Sequence, residues 1–368
     1  MRQTMFTLHK YSGLLLGMII ALIGLSGSLL VFDHALDEAL TPELRGLGLD
    51  LDLDVATEPS ATLQQVLSAS KAAVPAGSQA TRIYLARQPG SPHTVRFNGP
   101  PPAQARLEVN VAADSAQVLT VREWGYYPMS WLYRLHYTLL SGHRGETVVG
   151  ILGFVLLFYC ISGLVLWWPR RRGHWRLALR INRQASNARF LWDLHRVVGV
   201  ASMPVLSLCA ITGIAMVFAK PTAAIINSVA PLVTKPSYSV EPSGQPLPLD
   251  TLIAKAKIAV PHSEIKRIFL PQQPQHSLRL SANFAGEPWS NHGASNIWLN
   301  PYNGEVLGLW DARQQPWGNT VLSWVFPLHN ADVLGLPGRW LWLIVGTIPA
   351  LLFFTGTYLW WRKWRRRR

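Results

Sequence analysis

Four long apolar segments constrain the fold of this 368-residue chain more than any other feature. They cover approximately residues 11–32, 148–168, 197–219 and 340–361. Each supplies about the 20 residues that a helix needs to cross the hydrocarbon core of a bilayer. Charged residues make up only 15% of the chain, whereas soluble domains average about 25%. The sequence therefore predicts an α-helical membrane protein with four spanning helices.

The net charge of +14 is concentrated beside these segments. Residues 33–146 contain 12 acidic and 9 basic residues, and residues 220–337 contain 7 acidic and 8 basic ones. Most of the other basic residues lie at Arg2, Lys10 and in residues 170–183 and 362–368. Basic flanks face the cytoplasm, so we expect both termini there and the two segments at 33–146 and 220–338 outside. The positive charge then reflects topology and weak contacts with lipid head groups, not a nucleic-acid partner.

This topology predicts four membrane helices, two α+β periplasmic domains, and a cytoplasmic basic loop and tail. The boundaries in chain order are helix 1 at 1–33, domain 1 at 34–146, helix 2 at 147–169, the loop at 170–190, helix 3 at 191–219, domain 2 at 220–337, helix 4 at 338–361 and the tail at 362–368.

Alternating apolar residues predict strands in both external segments. The predicted strands are 81–88, 93–98, 105–111, 265–270, 276–284 and two strands within 295–309. Each set is preceded by one predicted helix, at 63–73 and at Leu249–Ala259. The sequence "NPYNG" from Asn300 supplies a turn between the last two strands.

The chain is also similar to itself, which indicates two copies of one unit: helix, external domain, helix. "LHKYSG" from Leu8 matches "LHRVVG" from Leu194 at an offset of 186. "LHYTLLSGHRG" from Leu135 matches "LHNADVLGLPG" from Leu328 at an offset of 193. Both copies have the same orientation, so their pseudo-twofold axis is expected along the membrane normal.

The repeat predicts two pairs of histidines at opposite membrane faces. His9 and His195 are expected beside the cytoplasmic face, and His136 and His329 beside the outer face. Two facing imidazoles can supply both axial ligands of a b-type haem. The sequence therefore predicts two haems, whose iron these four histidines ligate. The haems are expected to be non-covalent, because the sequence contains no CxxCH motif. The alternative is that these histidines are helix caps or interfacial residues.

The other histidines have no partner in the repeat, and we expect them to be ordinary surface residues. They are His34, His93, His143, His174, His262, His276 and His292. The roles of His34 and His143 stay open, since His143 lies in a Gly-flanked stretch near the predicted outer site. The chain's two cysteines, Cys160 and Cys209, lie inside apolar segments and form neither a CxxC redox pair nor a disulfide framework.

Several of these motifs resemble the PepSY-associated transmembrane family of bacterial inner-membrane proteins. The resemblance lies in "LHKYSGLLLG", "LHYTLLSGHRGETVVG", "SGLVLWWPRR", "WDLHRVVG", "NPYNGEVL", "LHNADVLGLPGR" and "TGTYLWW". It implies PepSY-like external domains, although the first has "NVAADSAQVL" in place of the usual turn. Among its characterised members, the sequence resembles FoxB-like ferric-siderophore reductases. This similarity implies haem ligation by His9, His136, His195 and His329 and reduction of periplasmic Fe(III)–siderophore.

Three functions remain open at this point. A haem-dependent reductase is favoured because GxSxG, HExxH, P-loop and GxGxxG motifs are all missing from the sequence. Its electrons would come from quinol or from a separate cytoplasmic reductase. A permease without redox activity predicts ionisable residues in the helix cores, and the sequence shows none there. The third function is that of a PepSY regulator.

Aromatic residues cluster in sequence before the two outer histidines, where rigid rings could form a docking surface for the siderophore. The alternative for each is interfacial anchoring or domain packing. These residues are Trp124, Tyr126, Tyr127, Trp131, Trp310, Trp317 and Trp324.

Overall fold

The computed structural model describes residues 1–45, 60–102, 104–169, 173–289 and 291–366. Its long apolar helices and its short strands form two separate units. The helical unit comprises Met1–Asp33, Leu132–Thr222 and Val325–Arg368. The sheet unit comprises His34–Trp131 and Ala223–Trp324. The predicted basic flanks at Arg170, Arg171, Arg172, Arg367 and Arg368 lie outside the described residues.

Helices are numbered along the chain. They are α1 (Arg2–Leu30), α2 (Asp33–Leu40), α3 (Leu63–Ala72), α4 (Pro128–Thr138), α5 (Gly142–Trp167), α6 (Trp175–Ala178), α7 (Asn187–Val217), α8 (Ala219–Val229), α9 (Leu249–Ala259), α10 (Trp317–His329) and α11 (Gly335–Arg365). Among the described residues, α1, α5, α7 and α11 are long and apolar enough to cross a membrane. These four agree with the four predicted spans, and the chain is a multi-pass membrane protein.

Small residues let the membrane helices approach closely, as is usual where lipid replaces water as the solvent. A Cβ on Gly24 of α1 would lie 2.6 Å from the carbonyl oxygen of Gly346 of α11. The hydroxyl of Ser28 donates to the carbonyl of Leu343 in the same contact. Between α5 and α7, a Cβ on Gly153 would lie 2.8 Å from the side chain of Ile214. Helices α1 and α11 therefore pack together, as do α5 and α7.

The sheet unit is built on eight antiparallel strands in the order β4-β3-β2-β1-β5-β6-β7-β8. The strands are β1 (Gln79–Tyr84), β2 (His93–Asn98), β3 (Arg106–Val111), β4 (Val118–Glu123), β5 (Glu264–Phe269), β6 (Leu278–Asn283), β7 (Ser295–Leu299) and β8 (Val306–Trp310). Alternate residues such as Val95, Ile268 and Leu280 are fully buried and share one core with α3 and α9. The period-2 pattern thus encodes one apolar face of this sheet.

The two external segments form one sheet and not the two separate domains that the sequence predicts. Strands β1 and β5 pair in antiparallel register, with Ile83 opposite Ile268. The carboxylate of Asp250 in α9 also accepts hydrogen bonds from the backbone amides of Leu63 and Gln64, at 2.8 and 3.1 Å. The pairing satisfies both strand edges, which would otherwise carry open backbone groups. The domain boundary also moves, because residues from Leu132 onward belong to the helical unit.

Candidate functional site

A cavity of about 640 Å³ lies among α1, α5, α7 and α11, within the size range of cofactor sites. His9 and His195 both line it, as the repeat predicts. Apolar side chains and glycines make up most of its wall, and Lys10, Arg196 and Lys363 supply positive charge. The cavity therefore combines two imidazoles, an apolar interior and cations suited to carboxylate groups.

The second histidine pair is also brought together within the helical unit. The ring centroids of His136 in α4 and His329 in α10 lie 6.1 Å apart, with an angle of 59° between the ring planes. A metal bound midway between two imidazoles, with bonds of about 2 Å, separates the ring centroids by about 6 Å. The spacing of this pair therefore fits two ligands of one metal ion.

A hydroxyl group holds the Nδ1 atom of each of the four histidines. The Nδ1–oxygen distances are 2.7 Å for His9 and Ser162, 3.2 Å for His136 and Ser26, 2.8 Å for His195 and Thr355, and 2.9 Å for His329 and Thr212. Ser26 and Thr212 differ by 186 in residue number, and Ser162 and Thr355 differ by 193. The hydroxyls thus follow the same offsets as the histidines.

The hydrogen bonds of these hydroxyls determine which imidazole nitrogen carries the proton. Each hydroxyl donates its single proton to a backbone carbonyl of its own helix: Ser26 to Ile23, Ser162 to Tyr159, Thr212 to Leu208 and Thr355 to Leu351. The hydroxyl oxygen can then only accept from Nδ1. For His136, the carbonyl of Ile23 is a further acceptor, 3.0 Å from Nδ1. With each hydroxyl proton on its backbone carbonyl, Nδ1 carries the ring proton in all four histidines, and each Nε2 lone pair is then available for a metal.

Glycines lie against the histidine rings. A Cβ on Gly27 would lie 2.6 Å from Cε1 of His136, and one on Gly213 would lie 3.4 Å from Cε1 of His329. At the other pair, a Cβ on Gly356 would lie 3.4 Å from Cε1 of His195. Gly13 lines the 640 Å³ cavity, and a Cβ there would meet nothing within 4 Å. Gly27, Gly213 and Gly356 thus leave room for the histidine rings, and Gly13 leaves part of the cavity wall without a side chain.

Comparison with known proteins identifies the family. The family described as the PepSY-associated TM region matches residues 6–363, nearly the whole chain. The chain belongs to this family. A further relative is an uncharacterized protein of Pseudomonas aeruginosa, 27% identical over 250 residues. That match covers 62% of this chain and 62% of the relative, so the chain spans less than two thirds of the length of this curated relative.

In this PepSY-associated protein, the seven aromatic residues predicted to dock a substrate all lie in the sheet unit. The prediction is wrong for Trp310, which is only 6% exposed and packs in the sheet. Tyr127 is held by a 2.5 Å hydrogen bond to Glu108 and by the guanidinium of Arg122, which lies 3.8 Å from its ring centroid. Trp124 is half-buried, with the guanidinium of Arg106 5.8 Å from its ring centroid. The exposed members of the set are Tyr126, Trp131, Trp317 and Trp324.

Two of the remaining histidines, His93 and His292, are not the ordinary surface residues that the sequence predicts. His93 is buried, and its Nδ1 accepts a hydrogen bond from the amide of Ala86 at 3.0 Å. Burial lowers the pKa of His93 to about 4. The pKa of His292 is lowered to about 3, first by burial and then by the positive charge of Arg267. His143, by contrast, is exposed and forms an ion pair with Glu146 at 3.2 Å.

Sequence reasoning missed the four hydroxyl residues. Ser162 and Thr355 begin the motifs "SGLVLWWPRR" and "TGTYLWW", whereas Ser26 and Thr212 lie in apolar segments outside the quoted motifs. The signal that could have found them is the recurrence of a hydroxyl residue at equivalent positions of both copies, once at the offset of 186 and once at the offset of 193. Buried hydroxyls in membrane helices need acceptors or donors, so their repetition indicates a shared partner.

Proposed function

We propose that this protein is an inner-membrane ferric-siderophore reductase, a di-haem b electron-transfer protein that reduces periplasmic Fe(III)–siderophore to Fe(II). The observation that carries the proposal is the hydroxyl held at Nδ1 of each of His9, His136, His195 and His329. A hydroxyl that accepts from Nδ1–H leaves Nε2 unprotonated. Metal-ligating histidines use this arrangement, in which an outer partner orients the ring.

The donor set fits a b-type haem at each pair. His9 and His195 would hold one haem and His136 and His329 the other. When bound, haem supplies one-electron redox chemistry at its iron. The wall of the 640 Å³ cavity is mainly apolar, and Lys10, Arg196 and Lys363 offer cationic partners for the two carboxylates of such a group.

The substrate class follows from metal chemistry. Siderophores bind Fe(III) through hard oxygen ligands, and reduction to softer Fe(II) weakens that binding. Such a reaction requires no acid–base residue of the protein, only a docking surface and an electron. Exposed Tyr126, Trp131, Trp317 and Trp324 offer rigid aromatic contacts for docking. The electron would come from quinol or a separate cytoplasmic reductase.

The test is haem content and reactivity of the protein purified in detergent. We expect about two b-type haems per chain in a haemochrome assay. His9→Ala or His195→Ala should remove one haem, and His136→Ala or His329→Ala the other. Dithionite-reduced protein should be reoxidised by a ferric siderophore, with Fe(II) trapped by a chelator.

Matched variants separate ligation from general damage. Thr355→Val removes the hydroxyl that orients His195 and should weaken haem affinity about 10- to 100-fold. Thr347→Val on the same helix is its control, because the Thr347 hydroxyl donates only to the carbonyl of Ile344. His143→Ala should leave both haems in place. A protein without haem, or reduced haems that no ferric siderophore reoxidises, would contradict the reductase and favour the regulator.

A further inference from the structure

The face of the sheet opposite α3 and α9 carries an unusual group of arginines. Core residues Ile83, Ile268 and Leu280 point to the helix side. Side chains alternate along a strand, so Arg82 of β1, Arg267 of β5 and Arg279 of β6 point to the other side. These three residues form what we call the arginine face.

All three arginines surround one aromatic ring, that of Phe269. Phe269 lies directly between Arg82 and Arg279 in the register of the three strands. The guanidinium carbons lie 5.3 Å (Arg82), 5.5 Å (Arg267) and 3.8 Å (Arg279) from its ring centroid. Three positive charges therefore lie around a single side chain.

None of the three has a carboxylate partner within the described ranges of the chain. Their side-chain hydrogen bonds go to neutral groups: Arg82 to the hydroxyl of Tyr84, Arg267 to Ser281 and the carbonyl of His292, and Arg279 to Asn296. The nearby carboxylates bind elsewhere. Glu108 pairs with Arg96 at 2.6 Å, and Glu287 accepts from the amide of Ala294 at 2.7 Å.

Unpartnered buried nitrogens and lowered pKa values both indicate that this positive charge is poorly compensated. Arg267 Nε and His292 Nδ1 are buried and make no hydrogen bond within the part of the chain that the structure describes. The pKa of Arg279 is lowered by burial and by the charge of Arg82. The pKa of Lys235 is lowered by burial and then by Arg279 and Arg267, whereas Glu287 raises it. Partly buried like charges without a counter-ion are costly, and an anion removes that cost.

We propose that the arginine face binds a multiply charged anionic chelate whose carboxylates pair with Arg82, Arg267 and Arg279. Guanidinium groups match carboxylates in planar, two-point geometry. Phe269 lies at the centre of the three and supplies an apolar contact for the carbon skeleton of the ligand. The identity of the ligand as a metal chelate rests on the proposed function, whereas the anion site rests on the arginines alone.

The experiment measures binding without electron transfer. The full-length protein in an uncharged detergent is titrated with gallium(III) citrate, a redox-inert anionic chelate, by isothermal calorimetry. The double variant Arg267→Gln/Arg279→Gln should bind it at least about tenfold more weakly, the size expected for losing charged hydrogen bonds. Lys257→Gln, which removes one exposed positive charge from α9, should bind like the wild type.

Two controls give the result its meaning. The gallium(III) complex of an uncharged trihydroxamate should bind wild type and double variant equally. The melting temperature of the ligand-free double variant should equal or exceed that of the wild type, because like charges have been removed. If the double variant does not fold, the single Arg279→Gln variant is titrated in the same way.

The outcomes are distinct. No binding of gallium(III) citrate by the wild type, equal binding by the double variant, or a lowered melting temperature of that variant would overturn the inference. Binding lost only in the arginine variants would support it, whether or not the protein contains haem. Conversely, reoxidation of reduced protein by a neutral ferric trihydroxamate without citrate binding would support the reductase and overturn the arginine face.

Discussion

At the scale of single residues, polar atoms in apolar surroundings decide much of the local structure. The hydroxyl of Thr212 donates to the carbonyl of Leu208 and accepts from Nδ1 of His329. These two hydrogen bonds satisfy both the hydroxyl and the Nδ1 atom. An unsatisfied buried polar group costs about 1–3 kcal/mol. This cost keeps each imidazole in one tautomer and one orientation.

The same reasoning predicts that the stability of the sheet unit depends on pH through His93. Its pKa is about 4 in the folded protein and about 6.5 in an unfolded chain. Between these values the unfolded chain binds more protons, so the contribution is complete above pH ~6.5 and is lost as the pH falls to ~4. The loss amounts to about 3 kcal/mol.

Thermal unfolding, followed by the circular dichroism of the strands at pH 7 and pH 4.5, measures this loss. His93→Asn keeps an acceptor for the amide of Ala86 but does not titrate, so its melting temperature should fall less between the two pH values. His262→Asn, at an exposed position, should behave like the wild type. An unchanged difference in His93→Asn would contradict the assignment of a neutral His93.

At the scale of elements, the packing around the membrane helices depends on which positions require glycine. Gly27 of α1 faces the ring of His136, whereas Gly13 of the same helix faces open space in the cavity. Both positions look alike in sequence, because each is a glycine in an apolar helix that recurs at the offset of 186. The two glycines nevertheless differ in what a methyl group would meet.

Alanine at each position tests this difference. Gly27→Ala should displace His136 and destabilise the haem-free protein by about 1–3 kcal/mol, the usual cost of overpacking. Gly13→Ala should leave the haem-free protein equally or more stable, because alanine is the better helix former. In the haem-loaded protein, Gly27→Ala should lose the haem of the His136 pair, and Gly13→Ala should weaken the haem of the His9 pair.

Melting temperature and haem content of the two variants, purified in parallel, provide the measurement. Gly90→Ala, in a loop with a positive φ and open space around it, is not a suitable control, since its backbone is strained by any side chain. Gly13→Ala and Gly27→Ala instead control for each other, because both exchange a glycine of α1 for alanine. Equal effects of Gly27→Ala and Gly13→Ala would contradict the geometry.

At the scale of the whole molecule, the connections between the four membrane helices determine which segments share a compartment. Two crossings, α5 and α7, separate the two external segments from each other, so residues 34–131 and 223–324 must lie on the same side of the membrane. The shared sheet requires this as well, since β1 and β5 pair directly. Basic flanks favour the periplasm for the sheet unit.

Cysteine labelling in spheroplasts tests this topology. In a background with Cys160→Ala and Cys209→Ala, cysteines at exposed Ser115 and Gln273 should react with an impermeant thiol reagent, and one at exposed Ser186 should not. Lysis before labelling should make all three reactive. Labelling of Ser186→Cys alone would invert the orientation and place the sheet unit in the cytoplasm.

Much of the architecture follows from local pattern. Strand β2 and helix α9 begin and end where alternation and helical periodicity predict, and the turn from Asn300 uses Gly304 at a φ of +74°. Strand β4 escaped prediction because its residues are half-exposed and alternate weakly. Local pattern also predicts which residues become buried, but it does not predict which strand of the other external segment pairs with theirs.

The sequence by itself determined four membrane helices, two sets of strands and the recurrence of four histidines, because length, hydropathy and offset are properties of the chain. Only the tertiary structure decided that β1 pairs with β5 in one sheet and that Arg82, Arg267 and Arg279 meet around Phe269. It also decided that the hydroxyls of Ser162 and Thr355 hold His9 and His195. Apart from the contacts of Arg267 and Arg279 with Phe269, these contacts join residues more than 150 positions apart, and their partners are chosen by packing and by the need to satisfy buried polar atoms.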